Sequence, residues 1–179
     1  MPVLSPTVKL LQFMDKTVIM NPRFFYKIWQ GYGFVACKRF ESVASGSSIE
    51  MLFLNPAGSG RDAYVALVEI IGLAQLYADI YINNEIASIG TEISCMNLNT
   101  NSIVEPAAKI YYGGTYTLGK LIYNVVVPGG SHIRAVGGAT DIGESVIIGE
   151  GKNFILKVTN ASASATDFSA RVLWWEDPL

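Results

Sequence analysis

Charge is scarce in this sequence, and histidine almost absent. Only 16% of the residues are Asp, Glu, Lys or Arg, and His132 is the single histidine. The formal net charge is −2. The basic stripe that marks a nucleic-acid binder is therefore missing, and no nucleic-acid partner is expected. One histidine excludes any multi-histidine metal site. It also leaves a Ser–His–Asp system no choice of base. His132 directly follows Ser131, and neighbours on a strand point to opposite faces, so the two do not form a nucleophile–base pair there. His132 reads as an ordinary surface or turn residue.

Cysteine is also rare. Cys37 and Cys95 are the two present, with no C-x-x-C spacing. They read as small buried hydrophobes, although spacing alone does not exclude a disulfide. No apolar run approaches the roughly 18 residues that span a bilayer, so no membrane span is expected. The opening "MPVLSPTVKLLQFMDKTVIM" lacks the basic flank and cleavage site of a signal peptide.

What is abundant is apolar. Half of the residues are hydrophobic, enough for a sizeable core and for surfaces covered by other subunits. Residues 1–33 read as a partly helical N-terminal arm. Val8, Leu11 and Met14 lie near helical spacing after Ser5-Pro6. Asn21 and Pro22 suit the cap and first position of a second short helix, with Gly31 or Gly33 ending it. That helix would carry Phe24, Phe25, Tyr26, Ile28 and Trp29, and would pack on the main domain or on a neighbour.

From residue 34 to 179 the pattern changes to short runs rich in β-branched and aromatic residues, separated by Gly, Pro, Asn, Asp and Ser. They predict an all-β domain, a β-sandwich or jelly-roll of about 8–10 short antiparallel strands. Phe154, Leu156 and Val158 should face the core, and so should Phe168, Ala170, Val172 and Trp174. Leu173 and Trp175 then point outward, as candidate subunit contacts. On "AQLYADIYIN", Leu76, Ala78, Ile80 and Ile82 should fill one face. Gln75, Tyr77, Asp79 and Tyr81 should line the other, a face suited to a subunit interface or to sugars.

Several stretches resemble catalytic or ligand motifs and fail on context. "NPAGSGRD" (residues 55–62) is glycine-rich, but "AYVALVEI" after it alternates like a strand. A phosphate cradle needs a helix there, so this is read as the corner between strands 49–54 and 64–71. Gly114 to Lys120 spells G-x-x-x-x-G-K, but Leu121 replaces the Ser or Thr that would hold the metal ion. A hairpin is expected instead. The pairs Glu85/Glu92 and Asp141/Glu144 only flank turns, and "GATDIGE" lacks the spacing of a calcium loop. Asn160-Ala161-Ser162 fits the short glycosylation pattern. No catalytic residue, cofactor or metal is expected.

"NPAGSG", "CMNLNTNS", "YYGGTYT", "VVVPGGS" and the ending "NFILKVTNASASATDFSARVLWWE" together resemble small virion structural proteins of tailed bacteriophages and related viruses, of the head-decoration and fibre-like kinds. The likeness runs through roughly residues 50–176. It implies a β-sandwich, often trimeric, that sits on a capsid or tail. The expected function is thus a non-enzymatic virion protein. Its partners would be itself, as a homotrimer, and a major capsid or other virion protein. The alternative is a glycan- or receptor-binding module using the Tyr77/Tyr81 face or the loops around Asn97–Ser102.

Overall fold

The computed structural model describes residues 22–129 and 146–178. One helix, α1 (Pro22–Trp29), precedes the strands. A five-stranded sheet contains β1 (Gly33–Val43), β3 (Arg61–Gly72), β7 (Cys95–Asn97), β11 (Val146–Ile148) and β13 (Thr166–Pro178). Its order is β11-β3-β13-β1-β7. A six-stranded sheet contains β2 (Ser48–Leu54), β4 (Leu76–Ile82), β6 (Thr91–Ile93), β8 (Lys109–Tyr112), β10 (Lys120–Val127) and β12 (Asn153–Asn160). Its order is β10-β4-β12-β2-β8-β6. The strands β5 (Glu85–Ser88) and β9 (Thr115–Thr117) form a separate ribbon. Paired strands run antiparallel throughout the two sheets and the ribbon.

The two sheets pack face to face, and the molecule is a β-sandwich. Alternation decides which side chains enter it. Phe34, Ala36 and Phe40 of β1, Val65, Val68 and Ile70 of β3, and Ala170, Val172 and Trp174 of β13 are buried from one side. Met51, Phe53, Ala78, Ile80, Phe154, Leu156 and Val158 are buried from the other. Phe53 meets Trp174 edge-on across the sandwich at 5.3 Å, and stacks on Phe154 of the neighbouring strand at 5.0 Å. Phe40 reaches Tyr112 of β8 at 5.7 Å. The strands beyond the expected number are mostly β5, β6, β7 and β9, each too short to show an alternating pattern.

The glycine-rich stretch after Leu54 is a corner, as its context predicts. It carries the chain from β2 in one sheet to β3 in the other, with Gly58 and Gly60 at positive φ. Buried Asn55 anchors it. Its side-chain amide donates to the carbonyls of Arg61 (2.8 Å) and Ile148 (2.9 Å), and its backbone N–H donates to Lys152.

Helix α1 packs on the sandwich itself. Pro22 opens it, where a missing N–H costs nothing. Gly31, at φ +85°, closes it: Gly31 N–H bonds to Ile28 and Tyr32 N–H to Lys27. This paired closure is the left-handed cap that glycine favours. Asn21, Val8, Leu11, Met14, His132, Asp141, Glu144 and the run Ser131–Gly137 lie outside the described residues.

Candidate interaction surfaces

The outer side of the five-stranded sheet is where α1 lies. Tyr64 of β3 is paired in register with Trp175 of β13, and the two rings stack. Phe24 of α1 reaches Trp175 at 5.9 Å. Arg23 donates to Asp177 at 2.8 Å, Lys27 pairs with the same carboxylate, and the Arg23 guanidinium lies over Tyr64 at 5.2 Å. Trp175 does point away from Trp174, but it is buried. The expectation of an exposed Trp175 is corrected, because the chain's own helix covers it. Leu173 remains half-buried in a row that runs Leu67–Leu173–Val35–Met96 across four strands.

At the end of α1 the surface becomes apolar and exposed. Trp29 is 70% exposed, Met96 65% and Ile103 96%. Two asparagines hold these residues around one loop. Asn97 donates to the carbonyls of Gly31 (2.7 Å) and Val104 (2.9 Å), and Asn99 donates to Trp29 (3.0 Å). Tyr26 stacks on Trp29 at 6.2 Å, and Phe25 is exposed beside them. Phe24, Phe25, Tyr26 and Trp29 therefore divide: Phe24 turns inward to Trp175, while Phe25 and Trp29 face outward. Met96 and Ile103 were not singled out from the sequence. Only the asparagine-rich character of "CMNLNTNS" hinted at a built loop.

The base of that loop is fixed from inside. Glu176 is fully buried. Its carboxylate accepts from Arg61 Nη1 (2.9 Å), the N–H groups of Ala107 (3.0 Å) and Ala108 (2.9 Å), and Trp174 Nε1 (3.1 Å). Four donors and one guanidinium answer the desolvation of this carboxylate.

The outer side of the six-stranded sheet carries the tyrosine face in the expected register. Leu76, Ala78 and Ile80 are buried, while Tyr77, Asp79 and Tyr81 face outward. Three rows cross the strands. Val126, Tyr77, Thr159 and Ser48 form the first, with the Thr159 and Ser48 hydroxyls 2.8 Å apart. Asn124, Asp79, Lys157 and Glu50 form the second, with Lys157 Nζ 3.9 Å from Glu50. Leu121, Tyr81, Ile155, Leu52 and Tyr111 form the third. Ile155 and Leu52 are fully buried although they face outward, so Tyr77 and Tyr81 sit in different settings. Burial raises the Tyr81 phenol pKa first, and the charges of Asp79 and Glu50 add to it. A shallow depression of about 470 Å³ opens over Tyr77, Asp79, Asn124, Val125 and Val126.

The other sequence motifs resolve without chemistry. Strands flank Gly114–Lys120 on both sides and no helix follows. They do not pair with each other as a hairpin: β8 pairs with β2 and β6, and β10 with β4. Glu92 pairs with Lys109 at 3.5 Å, and Glu85 opens β5. Among the described residues, no three His, Cys, Asp or Glu side chains are placed to share a metal ion. Both cysteines are free, and Cys37 is exposed, which corrects its expected burial. Cys95 is half-buried, and burial pushes its thiol pKa up. Asn160 is fully buried, and its amide nitrogen donates to Val43 and Ser164, both at 2.8 Å. That nitrogen is not available to carry a glycan in the folded protein.

No protein-family model matches the chain, and no curated protein is significantly similar to it.

Proposed function

We propose that this chain is a non-enzymatic assembly protein that associates with copies of itself and decorates or stabilises a virus particle. The observation that carries the reading is the apolar cluster of Trp29, Met96 and Ile103, fixed in place by Asn97 and Asn99. Large apolar side chains on a pinned loop are already ordered, so little entropy remains to be lost on docking. Covering them recovers roughly 25 cal/mol per Å² of apolar surface. The half-buried row from Leu67 to Val35 continues the apolar character from Met96 along the sheet.

The viral setting, the capsid or tail partner and the threefold assembly rest on the sequence resemblance. The surface supports the self-associating part. The test is mass in solution by analytical ultracentrifugation, for the full chain and for a Trp29→Ser/Ile103→Ser variant. An oligomer that the double variant dissociates, with an unchanged circular dichroism spectrum, is the expected result. Electron microscopy of the source particle, with antibody against this chain, checks the location. A full-length protein that stays monomeric at high concentration and is absent from purified particles would overturn the reading.

A further inference from the structure

We propose that the depression over Tyr77, Asp79 and Asn124 binds a neutral pyranose sugar. The inference goes beyond self-association and rests on a different surface. The depression's volume, about 470 Å³, falls within the roughly 300–1,000 Å³ typical of small-ligand sites.

Its lining has the chemistry of a sugar ring. Tyr77 is 45% exposed, so ring surface is open to solvent. The negative face of an aromatic ring attracts the C–H bonds that line one side of a pyranose. Val126 stands opposite Tyr77 on β10 and extends the apolar floor. Asp79 and Asn124 are directly paired across β4 and β10. Side chains paired in this way start about 5 Å apart, so a carboxylate and an amide reach neighbouring hydroxyls of one ring. The carboxylate accepts only, while the amide both donates and accepts. Together they can serve two hydroxyl groups.

Charge narrows the class. Asp79 is the one ionisable carboxylate in the lining. The neighbouring Lys157 lies between it and Glu50, opposite both in register. Two carboxylates and one ammonium leave the patch net negative, which disfavours sulfated, phosphorylated or acidic sugars. Tyr81, which the sequence grouped with Tyr77, is outside the depression, whereas Asn124 from the next strand is inside it.

The experiment is saturation-transfer NMR on the full chain. The probes are methyl glycosides of glucose, galactose and mannose, N-acetylglucosamine and its β-linked oligomers, each at millimolar concentration. At least one should receive saturation and shift the backbone amides of Tyr77, Asp79 and Asn124. Tyr77→Ala should weaken that binding about tenfold or more, and Tyr77→Phe should keep most of it. These side chains face solvent, so the variants should fold, and circular dichroism checks it. No binding by any probe, or binding that survives Tyr77→Ala, would overturn the proposal. Trp29→Ser/Ile103→Ser should leave sugar binding intact, and Tyr77→Ala should leave the mass in solution unchanged. Failure of one reading is thereby separable from failure of the other.

Discussion

Tyr64 and Trp175 stack on the outside of the five-stranded sheet with ring centroids 5.1 Å apart and planes within 7° of parallel. Helix α1 closes over the pair through Phe24. Trp175→Ala should therefore behave as a core truncation, costing about 3–5 kcal/mol. Urea denaturation of the purified variant measures it. A loss near zero would mean that α1 does not cover the ring in solution. Removing residues 1–32 should also destabilise the sandwich, because it uncovers the same pair.

Glu176→Ala should cost about 3–5 kcal/mol, the range for removing one partner of a buried ion pair. Arg61 loses its counter-charge, and the N–H groups of Ala107 and Ala108 and the Trp174 indole lose their acceptor. The loop from Leu98 to Ala108 should then be cut sooner by protease than in the parent. Limited proteolysis with mass spectrometry reads the site.

Asn160→Ala should destabilise by about 1–3 kcal/mol for each buried group left without a partner. The groups at risk are the carbonyls of Val43 and Ser164 and the N–H of Ser162. In a secretory host, the folded fraction should carry no glycan on Asn160. Intact-mass measurement of that fraction decides it.

Cys37 should react with iodoacetamide well before Cys95 under native conditions. Cys37 is exposed, while burial raises the Cys95 pKa and so lowers its thiolate fraction at a given pH. Raising the pH should speed the Cys95 reaction more steeply in the native protein than in denaturant. Equal native rates would contradict the half-buried placement of Cys95.

The inner faces of the sandwich were legible in the sequence because a strand with one buried face alternates. Phe154, Leu156 and Val158 showed it, as did Leu76, Ala78 and Ile80. Trp175 was not legible in the same way. Alternation put it on the outer face correctly, but its cover comes from a helix far away in sequence. Leu52 and Ile155 are buried on an outward face, a fate that pattern alone does not distinguish from exposure. Cys37 shows the reverse, a residue type usually inside that alternation places outside. The apolar cluster depends on long-range hydrogen bonds from Asn97 and Asn99, which no local period records. Asn124 joined Tyr77 only through the pairing of β10 with β4.

The order of the five-stranded sheet has a consequence for biosynthesis. β13 lies between β1 and β3, paired with both along most of its length. It is also translated after every other described strand. A nascent chain that has completed β12 therefore holds β1 and β3 with the strand between them still missing, and Trp174 not yet available to Phe34 and Phe53. Closure of that sheet waits for the last strand, so folding of this half is largely post-translational and dominated by distant pairings, which slow it. Until then β1 and β3 present open edges to other nascent chains, and yield in a host should respond to translation rate and chaperone supply.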